Sequence, residues 1–118
     1  MRRKILIVDD APTDRQQLEI IVTEAGHQVL LAESGEQALL RAKNDMPDLI
    51  LMDVNMPDMD GFATTRRLKA DALTKDIPIV FVSSKNQKAD MAWGQMLGAK
   101  GYLAKPYTRE QILAQVNF

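Results

Sequence analysis

Cysteine is absent from this chain of 118 residues, which excludes a disulfide framework and any zinc site built on thiolates. An excess of one charge sign is missing too. The 15 basic and 16 acidic residues leave no electrostatic footprint for nucleic acid or an anionic membrane. No apolar run approaches the ~18 residues that span a bilayer. The opening MRRKILIVDD has a basic head but only four apolar residues before two acids, short of the ~7–15 of a secretory signal. A reducing, cytoplasmic setting is therefore expected. With no repeat of fixed period, no low-complexity tract and no Ser/Gly/Pro linker, residues 1–118 read as a single domain. At this length a core forms without staples, burying between about 60% and 70% of the unfolded surface.

What is present is a set of short apolar runs: Ile5–Val8, Val29–Ala32, Leu49–Met52, Ile77–Val82 and a weaker Tyr102–Ala104. They do not alternate with polar residues, which is the pattern of strands buried on both faces of a parallel sheet. Helical patterns lie between them. Leu18, Ile21, Val22 and Ala25 recur at helical spacing, with Pro12 suited to the first turn and Gly26 to the stop. Ser34 with Gln37, and Thr108 with Gln111, have the spacing of capping boxes. They would open helices carrying Ala38, Leu39 and Ala42, and Ile112, Leu113 and Val116. Gly61 precedes a third helix. Asn86 is expected to cap a fourth, with Ala89, Trp93 and Met96 on one side and Gly98 at its end. Five alternations of strand and helix, joined by right-handed crossovers, predict a doubly wound α/β fold with a five-stranded parallel sheet and helices on both faces.

Sheets of this kind bind ligands beyond the carboxyl ends of their strands. There the runs end on charge. ILIV is followed by Asp9 and Asp10, and LILM by Asp53. If the two strands are neighbours, three carboxylates converge, and two such charges ~4 Å apart at an effective dielectric of ~20 repel by about 4 kcal/mol. Such a cluster requires a cation. With no cysteine, and with the only histidine, His27, elsewhere in the chain, the donors are all oxygen, which suits magnesium rather than zinc. Lys105 follows the fifth run and Ser83, with Ser84 behind it, ends the fourth, both at the same edge. Three carboxylates, one ammonium and one divalent cation are neutral together. Carboxylate, metal, ammonium and hydroxyl around one point are the parts for phosphoryl transfer to an aspartate.

With ILIVDD (5–10), LMDVNMPDMDG (51–61), FVSS (81–84) and GYLAKPY (101–107) in order, the chain resembles the CheY-like receiver domain of two-component response regulators over nearly its whole length. The resemblance implies the strand order 2-1-3-4-5. It implies Asp53 as phosphoacceptor, and magnesium held by Asp10, by Asp9 largely through water, by Asp53 and by the backbone carbonyl of Asn55. Ser83 and Lys105 would contact the phosphoryl oxygens, and Ser83 and Tyr102 would be the switch residues. A histidine kinase or small phosphodonor would load Asp53, and water would release the phosphoryl group; beyond this self-phosphorylation and self-dephosphorylation no enzyme activity is implied. The face built by the fourth helix, fifth strand and fifth helix would then change its affinity for a downstream motility or signalling protein. With no output domain expected, the chain is similar to stand-alone regulators of chemotaxis type. The stretch ADMAWGQMLGAKGYLAKP is most similar to regulators of the chemotaxis-like system that controls type IV pilus twitching motility. A monomer, with neither nucleic acid nor membrane insertion, is expected.

Competing readings were open to the same fold. A magnesium phosphatase resembling haloacid dehalogenases would want a second acid two residues after the nucleophile, where Asn55 stands. A flavin or nucleotide binder would want a glycine-rich loop after the first strand, where the sequence is DDAPTD. A degenerate receiver that works without phosphate is disfavoured by the intact acidic set. The resemblance to receiver domains also implies that Asn55 and Lys85 border the path of the attacking water, where they are expected to tune rates. Trp93 is expected to pack as core or half-core rather than in a partner surface. Met52 is assigned to the core, His27 to the surface, and the Pro57 and Gly61 turn is expected to use proline's fixed φ and glycine's freedom of angle.

Overall fold

Four consecutive apolar residues can be buried only if both faces of their strand are covered. The structure, a computed structural model describing residues 2–118, meets that condition with five parallel strands between two helical layers. The strands are β1 (Lys4–Val8), β2 (Gln28–Ala32), β3 (Leu49–Met52), β4 (Ile79–Ser83) and β5 (Gly101–Ala104). The helices are α1 (Pro12–Glu24), α2 (Gly35–Asp45), α3 (Gly61–Ala70), α4 (Lys88–Met96) and α5 (Arg109–Val116). The strand order is β2-β1-β3-β4-β5, as expected.

The pleat divides the core in two. Leu6, Val8, Ile50, Met52, Ile79 and Phe81 pack toward the α2 and α3 side, with Ala38, Ala42, Phe62 and Leu68. Ile5, Ile7, Leu49, Leu51, Val80 and Val82 pack toward α1 and α5, against Leu18, Val22, Ile112 and Val116. Met52 is fully buried in the first of these layers.

Local chemistry explains most boundaries. Gln37 N–H donates to Ser34 Oγ at 3.2 Å and opens α2. Thr108 and Gln111 cap each other reciprocally, at 3.1 Å and 2.8 Å, and open α5. Gly26 follows α1 with φ +94°. The fourth strand begins at Ile79 rather than Ile77, because the Ile77 N–H is taken by the Thr74 carbonyl at 3.1 Å and Pro78 has none to offer.

Three expectations are corrected. In α4 the cap is Gln87, not Asn86, and its N–H donates to Asp90 Oδ2 at 3.0 Å. The side bearing Ala89, Trp93 and Met96 faces outward, with Trp93 39% exposed. The residue that α4 buries is Gly94, which sits so close to Phe81 and Tyr102 that a Cβ would lie 3.1 Å and 3.0 Å from their rings. His27 is buried rather than superficial. Its Nδ1 accepts the Arg3 N–H at 2.9 Å, and its Nε2 lies 2.8 Å from Asn117 Oδ1. Two segments distant in sequence thus enclose the ring.

Candidate functional site

Register decides which strand ends meet. Val8 pairs with Met52 and Met52 with Phe81, so Asp9 and Asp53, each one residue further on, leave the sheet side by side. The Asp53 N–H is still held by the Val8 carbonyl at 2.9 Å. Ser83 pairs with Ala104, and the Lys105 N–H donates to the Ser83 carbonyl at 3.0 Å. Continuing the pleat turns Asp9, Asp53 and Lys105 toward the α1 and α5 side, and Ser83 toward the other.

Asp9, Asp10 and Asp53 each bring a carboxylate oxygen within 4.8 Å of the others. Asp9 and Asp53 are buried and Asp10 is exposed, so the cluster opens to solvent on one side. Asp9 is fixed by the Ala11 N–H at 2.9 Å on Oδ1 and by Lys105 Nζ at 2.9 Å on Oδ2. Lys105 also reaches Asp53 Oδ1 at 3.8 Å. The peptide bond between Lys105 and Pro106 is cis.

The electrostatics follow from burial. Desolvation, then the charge of Asp9, push the Asp53 carboxyl up to about 6 against the opposing pull of Lys105 and the Val54 amide. For Lys105, burial disfavours the ammonium, but the hydrogen bond to Asp9, the charge of Asp53 and the hydrogen bond to Asp14 outweigh it and raise its pKa. Two buried carboxylates beside an exposed one, with no nitrogen or sulfur donor among them, fit a hard divalent cation of magnesium type.

The turn after Asp53 is built by close approach. A Cβ on Gly61 would lie 2.1 Å from the Asp53 carbonyl oxygen, and the Gly61 N–H donates to the Val54 carbonyl at 2.9 Å. Gly61 is therefore required for space, not for an unusual angle. The residue of the turn with positive φ is Asp58, at +69°.

Ser83 is fully buried, and its Oγ accepts the Lys85 N–H at 3.1 Å. The Tyr102 hydroxyl donates to the Lys85 carbonyl, and its ring packs on Phe81 with centroids 5.5 Å apart. The loop carrying Ser83 is thereby tied to Tyr102. The Asn55 side chain is exposed and its amide reaches Ser84 Oγ at 3.4 Å. The Lys85 ammonium is engaged by Asp90 of α4 at 3.5 Å.

One participant escaped the sequence reading. Asp14, in the first turn of α1, accepts a hydrogen bond from Lys105 Nζ at 3.1 Å. Its only sequence signal is an acid near a helix N-terminus, which the helix dipole already explains. It is the third carboxylate around the ammonium and the fourth of the site, so the site carries one more negative charge than the three-acid count.

The family profile for the response regulator receiver domain matches residues 5–117. Protein PilH of Pseudomonas aeruginosa is 44% identical over 97% of this chain and 94% of its own length. Among solved structures, a CheY chemotaxis protein of Vibrio cholerae shares 32% identity with a TM-score of 0.92, over 99% of this chain and 98% of that one. The receiver domain of a Pseudomonas aeruginosa sensor histidine kinase, described with a magnesium ion coordinated in its active site cleft, shares 30% identity with a TM-score of 0.89, over 98% of this chain and 94% of that one. A match spanning almost every residue, on a sheet of the strand order that the family implies, settles the family: this chain is a member of the response regulator receiver domains, close to PilH.

Proposed function

We propose that the chain accepts a phosphoryl group from a histidine kinase on Asp53 and thereby changes its affinity for a downstream signalling protein. The observation that carries this reading is a buried carboxylate with an ammonium 3.8 Å away and two further acids beside it. An Asp53 oxygen attacks phosphorus while the P–N bond of the donor phosphohistidine breaks, and the imidazole departs with the electron pair and takes up a proton. Lys105 and Ser83 donate hydrogen bonds to the phosphoryl oxygens. Asp10, Asp53 and the Asn55 carbonyl, with Asp9 largely through water, would hold magnesium, which when bound would offset the negative charge of the phosphoryl oxygens. Water later attacks phosphorus, releasing inorganic phosphate and restoring the carboxylate.

A phosphoryl group of about −2 charge draws Ser83 toward it and, through the Lys85 backbone, biases Tyr102. The α4, β5 and α5 face is the readout. The similarity to PilH supports a role in the chemotaxis-like control of type IV pilus motility; the proposal places that role in the cytoplasm and assigns it to a monomer. Asn55 and Lys85 tune the lifetime; with its ammonium on Asp90, Lys85 acts from the loop edge.

Incubation with acetyl phosphate and magnesium, followed by intact mass, tests the reading. One added phosphoryl in the wild type and none in Asp53→Asn is expected. An adduct that persists in Asp53→Asn, or none in the wild type, overturns it.

A further inference from the structure

The Lys105 ammonium has three acceptors at unequal distance: Asp9 at 2.9 Å, Asp14 at 3.1 Å and Asp53 at 3.8 Å. The first two are hydrogen bonds, whereas the third is only a charge contact. We propose that Asp14 is a positioning residue that competes with the phosphoryl group for the Lys105 ammonium, holding the lysine toward α1 in the resting protein and slowing phosphorylation. This rests on Asp53 as the phosphoacceptor.

Asp9 is not the partner that yields. It is 1% exposed and its other oxygen is bound by the Ala11 amide, so losing Lys105 would leave a buried charge uncompensated. Asp14 is different. Its side chain is 44% exposed, and it borders a solvent-open pocket with Gln17, Pro106 and Tyr107, so water can replace the lysine there. A phosphoryl group on Asp53 presents oxygens that need a donor the resting lysine spends on Asp14. The contest is between an exposed carboxylate, screened and weak, and a more strongly charged group in a buried cleft. The phosphoryl group wins it, but each loading event first breaks the contact to Asp14.

An exposed ion pair of this kind shifts an equilibrium by about two- to fivefold. Asp14→Asn is therefore expected to accept a phosphoryl group from acetyl phosphate, with magnesium, two to five times faster than the wild type by intact mass, and Asp14→Glu to restore the wild-type rate. The same substitution in a Lys105→Met background separates positioning from the simple loss of a negative charge near an anionic donor. The acceleration should vanish there; an acceleration that persists without the lysine overturns the proposal. A crystal structure of metal-free Asp14→Asn supplies a readout independent of rate. Lys105 Nζ within hydrogen-bond distance of Asp53 is expected, and a separation still near 3.8 Å counts against the competition. An unmodified wild type would sink the phosphoacceptor reading, whereas equal rates in a wild type and Asp14→Asn that both become loaded would sink this inference alone.

Discussion

Neutralising Asp53 should make the metal-free protein more stable, and only at neutral and alkaline pH. Its carboxyl is pushed from 3.8 up to about 6, first by burial and then by Asp9. The unfolded chain releases this proton near pH 4, whereas the folded protein retains it until about pH 6. Between those values the native state binds the extra proton, so stability falls as pH rises and reaches its low level above about 6. One pKa unit corresponds to about 1.4 kcal/mol, which puts the cost of the ionised side chain near 3 kcal/mol. Solvent reaching the cleft beside exposed Asp10 screens part of this, and about 2 kcal/mol is the expected net value. Asparagine has nearly the same shape and no charge. In the presence of a chelator, Asp53→Asn should therefore exceed the wild type by about 2 kcal/mol at pH 8 and match it near pH 4. In a domain of this size that is a rise in Tm of about 6–10 °C at the higher pH. Urea titrations of both proteins at the two pH values measure it. Equal stability at pH 8, or a gain of the same size at pH 4, would refute the burial and repulsion argument.

Magnesium at about 100 times its dissociation constant should stabilise the wild type by ~2.7 kcal/mol, seen as a thermal shift, and the shift should shrink in Asp10→Asn, where the exposed donor is lost. Gly61→Ala should cost at least about 2 kcal/mol in urea denaturation, since its Cβ would lie 2.1 Å from the Asp53 carbonyl oxygen. The same variant should slow phosphoryl uptake by as much as ~100-fold, the effect of a ~1 Å displacement of a reacting group. His27→Ala should cost about 2 kcal/mol by leaving the Arg3 amide and Asn117 without their partner. It should leave phosphoryl uptake unchanged, because His27 precedes β2 at the opposite end of the sheet from the acids.

Elements whose chemistry closes within a few residues were legible without coordinates. Ser34 and Thr108 cap their helices with partners three residues away, and runs such as LILM state double-sided burial directly. Where a contact is made by absence, periodicity misleads. The inward side of α4 is organised by Gly94, which has no side chain to mark it, so the larger Trp93 and Met96 claimed a stripe that faces outward. His27 was misread for a related reason. The groups that enclose it come from Arg3 and Asn117, and nothing adjacent to it in the chain announces them.

The candidate site divides along the same line. Asp9, Asp10, Asp53, Ser83 and Lys105 could be found because each terminates an apolar run, and parallel strands in register must release their ends together. Asp14 is reached differently, by a lysine side chain crossing from the end of β5 to the first turn of α1. Backbone register does not set that contact; it depends on where a flexible side chain finds its acceptors once the helix has packed. On the proposed reading, the acids at the strand ends are what would hold a cation and accept a phosphoryl group. On the proposal above, the acid on the helix sets how readily Lys105 leaves its resting partners, so a severalfold adjustment of the loading rate resides in a contact that strand patterns cannot disclose.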